Sequence, residues 1–136
     1  MSLKKAVMIS MMNPSVKYFE HGGKIIFIES SRELIHIDVY DKDGKTPADL
    51  SGAKAFFHLM EFSTRSNIWS KECFPVYDPN AGIPDIDYPC TVPVPFASSD
   101  TANLEGHYVG QLELIDHHGS SKFPFQIEII IGKKAG

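Results

Sequence analysis

Leu34-Ile35-His36-Ile37-Asp38-Val39-Tyr40, running into Lys42-Asp43-Gly44-Lys45, is the stretch on which the fold turns. Ile35, Ile37 and Val39 fall on one side of an extended chain, and His36, Asp38 and Tyr40 on the other. That period of two belongs to a half-buried strand, not a helix. Asp43 and Gly44 then read as a tight turn, with Gly44 suited to a positive φ.

Working outward, the same signals recur. Residues 16–19 and 24–28 flank His21-Gly22-Gly23, a turn signal. Residues 53–62 and 68–76 are strand candidates joined by the polar loop Ser63-Thr64-Arg65-Ser66-Asn67. Residues 107–115 and 123–131 form a last strand pair, turning through Asp116-His117-His118-Gly119. Six of the nine prolines lie from Pro75 to Pro95. Proline cannot donate to a ladder, so that region is expected to be edge strand or irregular connection. Helical periodicity is confined to one turn at residues 97–103, with Ser98 or Ser99 as its cap.

Many short strands with turns between them predict two packed antiparallel sheets. The expectation is an all-β Greek-key sandwich of about seven strands. Residues 1–15 are an arm or first strand, 16–132 a single sandwich domain, and 133–136 a tail. The expected core is Ile35, Ile37, Val39, Phe57, Leu59, Trp69, Leu112, Leu114, Ile127 and Ile129.

Composition agrees. In 136 residues, 43% are hydrophobic and 22% charged, close to globular averages, which argues against disorder. The net charge of −4 and pI of about 5.8 give no basic face for nucleic acid. No apolar run approaches the roughly 20 residues that span a bilayer. Residues 6–12 are apolar after Lys4-Lys5, but no cleavage site follows and Asn13-Pro14 breaks the run, so a strand or arm fits better than a signal peptide. Cys73 and Cys90 read as two thiols in a reducing compartment; a disulfide between them stays open.

The most specific local feature is Leu104-Glu105-Gly106-His107-Tyr108. A tyrosine opening a late strand of a sandwich often folds back over the preceding crossover and bonds upstream backbone. Leu104, Gly106 and Tyr108 are the expected members of such a tyrosine corner, and Tyr108→Phe would then cost about 1–3 kcal/mol. The competing reading is a surface tyrosine beside an ordinary turn glycine. Gly110 stands where an antibody-type domain carries a cysteine. The expected architecture is therefore immunoglobulin-like without the intersheet disulfide.

Chemistry-bearing residues are sparse. Asp116 with His117 and His118 has metal-ligand types, but adjacent histidines on a strand point apart, and a polar hairpin tip is the simpler reading. His36 and His58 sit on strands and are expected to face solvent or satisfy local polar groups. Asp41-Lys42-Asp43-Gly44 lacks the later acidic ligand of a calcium loop. Asp85, Asp87 and Glu72 are carboxylates with surface charge as the plain reading. No serine or cysteine lies in a nucleophile motif. No catalytic residue, metal or cofactor is assigned. Trp69, Tyr77, Tyr88 and Phe96 are a candidate aromatic binding platform; the alternative is that they cap one end of the sandwich.

The order of the motifs carries one resemblance. Ile37-Asp38-Val39-Tyr40-Asp41-Lys42-Asp43-Gly44-Lys45 leads into Ala48-Asp49-Leu50-Ser51-Gly52-Ala53, then Phe56-Phe57-His58-Leu59. Asp100-Thr101, Gly106-x-Tyr108, Gln111-Leu112-Glu113-Leu114-Ile115-Asp116 with Gly119, Lys122-Phe123-Pro124-Phe125 and Ile129-Ile130-Ile131-Gly132 follow. This series, over residues 34–131, resembles the N-terminal domains of phage baseplate upper proteins and related tail-associated β-sandwich domains. The resemblance implies a structural or adaptor domain of a phage or prophage tail, without catalysis. Its partners would be other tail or baseplate proteins or further copies of itself. It would be made in the bacterial cytoplasm and end in the virion tail. The proline-rich stretch departs from the family pattern. Two other classes are kept: a module recognising host-surface carbohydrate or protein through its end loops, and a small β-sandwich enzyme.

Overall fold

The alternating stretch forms a strand as expected, Glu33–Tyr40, in which Ile35, Ile37 and Val39 are completely buried. The computed structural model describes residues 3–10, 24–40, 47–77 and 88–135. Eight strands lie among them: β1 Leu3–Ser10, β2 Lys24–Ile28, β3 Glu33–Tyr40, β4 Lys54–Glu61, β5 Asn67–Cys73, β6 Thr91–Phe96, β7 Gly106–Ile115 and β8 Ser121–Gly132. One short helix, α1 Ser98–Thr101, precedes β7. The strand expected at 16–19, the turn at His21-Gly22-Gly23, the turn at Asp43 and Gly44, and Asp85 and Asp87 lie outside the described residues.

The strands form two sheets, ordered β1-β3-β6 and β2-β8-β7-β4-β5. Both contribute to one core, so the molecule is a β-sandwich. Cys73 and Cys90 are buried thiols, and no disulfide forms among the described residues.

Two features correct the all-antiparallel expectation. β1 pairs with β3 in parallel, and β2 pairs with β8 in parallel. After β1 the chain enters the other sheet as β2 and returns as β3. Strands joined through such a crossover run parallel, whereas a hairpin runs antiparallel. Alternation reveals a strand and its buried face but says nothing about its neighbour's direction.

The proline-rich region holds a strand that had been allowed for only as an edge or connection. β6 is the edge of the three-stranded sheet. Its partners fall in the register Ile35↔Val94 and Ile37↔Val92, continued by Val39 N–H donating to Cys90 O at 3.1 Å. Thr91 exchanges bonds with Val76 on the opposite side. With the alternation of an antiparallel ladder, Pro93 and Pro95 therefore turn their donor-less nitrogens away from β3. Both prolines sit where no ladder bond is lost. Residues 74–76, expected as the end of a strand, instead carry the chain from β5 to this bridge at Val76.

The helix cap also differs. Ala97, not a serine, is the N-cap. Asp100 supplies the reciprocal half of the cap, accepting the Ala97 N–H at 2.7 Å.

The inward faces meet around Phe57, Phe96 and Phe27. Phe27 meets Phe96 edge-on with centroids 4.7 Å apart, and Phe57 meets Phe96 at 5.8 Å. Of the expected core only Trp69 is partly exposed; the others are at most 4% exposed. Burial of each large side chain is worth about 1.5–3 kcal/mol before ordering costs. Gly110 faces inward against the Phe57 ring, and a Cβ there would lie 2.4 Å from the phenyl Cζ. The phenyl ring occupies the space that any side chain at position 110 would need.

Candidate functional site

The four platform aromatics do not assemble into one surface. Phe96 is buried in the core at 2% exposure. Trp69 stacks edge-on against it at 5.4 Å, and its indole N–H donates to Asp100 O at 3.0 Å. Lys71 Nζ lies over both rings, donates to Pro95 O at 2.7 Å and pairs with Asp100. This group closes one end of the sandwich, the alternative reading of these aromatics. Tyr88 is half-buried and donates its hydroxyl to Pro47 O at 2.7 Å, pinning a loop. Only Tyr77 is open, 50% exposed beside Phe74 and Val76 on the segment between the sheets.

The tyrosine corner is half present. Tyr108 is 8% exposed and its ring lies over Gly106, whose φ of +148° suits glycine alone. Leu104 packs against the core. However, the Tyr108 hydroxyl makes no hydrogen bond to the upstream backbone or to any other described residue. The crossover is held by other means, which removes the need: Trp69 takes Asp100 O, Leu104 N–H bonds Thr101 O at 3.1 Å, and Ser30 N–H donates to the buried Thr101 hydroxyl at 2.9 Å. Burial, then the nearby Glu61 charge, push the Tyr108 phenol above its usual range.

The last hairpin turns as expected at Gly119, whose N–H bonds Asp116 O at 2.9 Å. Asp116 Oδ1 accepts the His118 and Ser120 N–H groups at 2.9 and 3.0 Å. Those bonds, that of Ser120 foremost, hold its carboxyl below the usual range. The His117 and His118 rings lie exposed at the tip, centroids 3.9 Å apart. No three His, Cys, Asp or Glu side chains are grouped to hold a metal among the described residues. Glu72 is exposed on β5, and His36 is buried.

The outward face of the five-stranded sheet is the surface that residue types alone did not reveal. One half is polar. His58 on β4 bonds Ser70 Oγ through Nδ1 at 2.7 Å and Glu113 Oε1 through Nε2 at 2.9 Å. Ser121 donates to Glu113 Oε2 at 2.8 Å. The His58 and Ser121 bonds lower the Glu113 carboxyl. These groups span β5, β4, β7 and β8, and cross-strand pairs of this kind tie neighbouring strands together. The other half is apolar. Ile26 and Ile28 on β2 are 41% and 48% exposed. Ile26 is opposite Ile130 on β8, and Ile130 is opposite His107 on β7. His107 stacks flat on Phe62 with centroids 3.9 Å apart. The sequence signal was Lys24-Ile25-Ile26-Phe27-Ile28, a run apolar at both parities and therefore on both faces.

No helix among the described residues is long and apolar enough to cross a membrane. No protein-family model matches the sequence, and no curated protein matches it. Among solved structures it is similar to the N-terminal domain of phage TP901-1 ORF48, with 13% identity and a TM-score of 0.58. The similarity covers 98% of this chain and 100% of that one. At this identity the shared property is the fold.

Proposed function

We propose that this chain is a structural or adaptor domain of a phage or prophage tail or baseplate, acting through protein–protein assembly and not through catalysis. The observation that carries the reading is the end-to-end fold similarity to an N-terminal domain of a phage protein. The order of tail-domain motifs over residues 34–131 points the same way. Ile26 and Ile28, exposed on the edge strand of the larger sheet, are compatible with a domain that works by contact. Glycan recognition by end loops draws less support. Two of the four aromatics it would use are packed against the sandwich interior, and a third spends its hydroxyl on Pro47. Mass spectrometry of particles induced from the encoding strain tests the proposal. The chain should appear in fixed ratio to known tail proteins, and its absence from purified particles would overturn the reading.

A further inference from the structure

The outer strands of the sandwich are not defended alike. β5 and β6 are edge strands, one in each sheet, and both are guarded. β6 carries Pro93 and Pro95. β5 carries Lys71, which lies opposite Phe57 in the ladder and so shares its inward face, and whose Nζ reaches across to Pro95 O at 2.7 Å. Prolines and inward-pointing charges are devices that stop a sheet edge from pairing with another chain. β2, the other edge of the larger sheet, has neither. Between Lys24 and Glu29 it reads Ile25-Ile26-Phe27-Ile28, without a charge, a proline or a break in register. Its backbone shows which groups stand open. Glu29 N–H donates to Gly132 O at 2.9 Å. Bonding alternates along a strand of a parallel ladder, so Ile25 and Phe27 also turn their amides to β8, while Lys24, Ile26 and Ile28 turn theirs outward. The Ile28 carbonyl is taken by Ser31, whose N–H and hydroxyl lie at 3.2 and 2.6 Å. The Ile26 N–H and C=O and the Ile28 N–H have no partner among the described residues.

We infer that β2 is a pairing edge for the β2 strand of a second copy of this chain, the two running antiparallel about a two-fold axis at Ile26. The open groups are self-complementary. Ile26 meets Ile26, each donating its N–H to the other's C=O, and each Ile28 N–H meets the Lys24 C=O of the other copy. An interface of this symmetry uses one patch on both partners, and the main-chain bonds of an added strand supply its affinity. The pairing covers Ile26 and Ile28, which are 41% and 48% exposed. Ile130 lies opposite Ile26 on β8, so one apolar stripe continues across the axis. The register also sets the Lys24 end of one strand beside the Glu29 end of the other, where unlike charges meet. A different protein would need a strand matching this pattern, and the second copy carries it already. Five residues per strand fall short of a standard interface, so the pair is reversible and dilution separates it. The inference stands on the edge geometry and goes beyond the assembly role proposed above.

The test follows the full chain, isotope-labelled, by sedimentation velocity and amide hydrogen exchange over a range of concentrations. A monomer–dimer equilibrium is expected. Where the dimer predominates, the Ile26 and Ile28 amides should exchange at least about tenfold more slowly than in dilute solution. The Ile25 and Phe27 amides, held by β8, should be protected in both. Ile26→Lys replaces an exposed side chain and should abolish the dimer by placing like charges directly opposite each other. Ile26→Pro removes the outward N–H without taking a bond from β8 and should abolish it too. If the proline variant does not fold, the lysine variant decides alone. The inference falls if the chain stays monomeric at millimolar concentration. It falls equally if a dimer survives Ile26→Lys or leaves the Ile26 and Ile28 amides in fast exchange. Amides of Ile26 and Ile28 protected alike at every dilution would overturn it in favour of a cover supplied by the chain itself. A chain found in particles that never pairs through β2 would sink this inference alone. A chain that pairs through β2 but is absent from particles would sink the tail assignment alone.

Discussion

The two faces of the five-stranded sheet are built from the same strands with the same alternation, yet they answer to different demands. On the inner face Phe57 and Ile129 close over Gly110, where even a Cβ would displace them. On the outer face, one part is a polar ladder centred on His58 and another carries two exposed isoleucines, Ile26 and Ile28. Side chains left 41% and 48% exposed have surrendered much of the benefit of burial. The comparison teaches that apolar character on a strand does not report one cause. Inside, it stabilises the monomer; outside, it stabilises the monomer little.

Five substitutions can break that contrast. Phe57→Ala should cost about 3–5 kcal/mol in urea unfolding, because it opens a cavity where three aromatic rings meet. Gly110→Ala should cost about 1–3 kcal/mol through overpacking against Phe57 and Ile129. A neutral result at either would mean that the inner face is looser than described. The polar ladder should register more weakly. Glu113→Gln should cost about 0.2–1 kcal/mol at neutral pH. The folded Glu113 carboxyl lies below its unfolded value of 4.5. Its contribution is therefore complete above the unfolded value and is lost as pH falls through the folded one. The gap between parent and Glu113→Gln should close in acid, and a gap that persists would assign the effect to packing. Smallest of all, Tyr108→Phe, which removes a hydroxyl without a partner among the described residues, and Ile28→Ser, an exposed position, should each stay within about 0.5 kcal/mol. A larger loss at Tyr108 would restore the full tyrosine corner; a larger loss at Ile28 would make the outer row part of the monomer core.

How much of this was legible in the sequence follows from what each signal measures. Alternation located β3, β4, β7 and β8 and their buried faces, because period two is a local property of extended chain. It gave no direction of pairing, so the parallel β1–β3 and β2–β8 contacts appeared only with the tertiary arrangement. Pro93 and Pro95 obscured β6, since a proline rules out a central strand but not an edge whose outward positions need no donor. The aromatic platform failed for a similar reason. Trp69 and Phe96 are separated in sequence and equally suited to a surface or a core, and only the sandwich end they meet at decides between the two. The unpartnered Tyr108 hydroxyl was illegible because Gly106-x-Tyr108 fixes the ring over the glycine but not the atom beyond it.

The pairing of β2 with β8 has a temporal side. Lys24 lies opposite Glu128, so the edge of the larger sheet is completed by segments roughly a hundred residues apart, the kind of long-range closure that slows folding. On the ribosome, the isoleucine-rich β2 segment waits for roughly a hundred further residues before its partner exists. A nascent chain stalled before residue 121 should therefore leave that segment accessible to a chaperone or protease. Release of β8 should protect it in a single step.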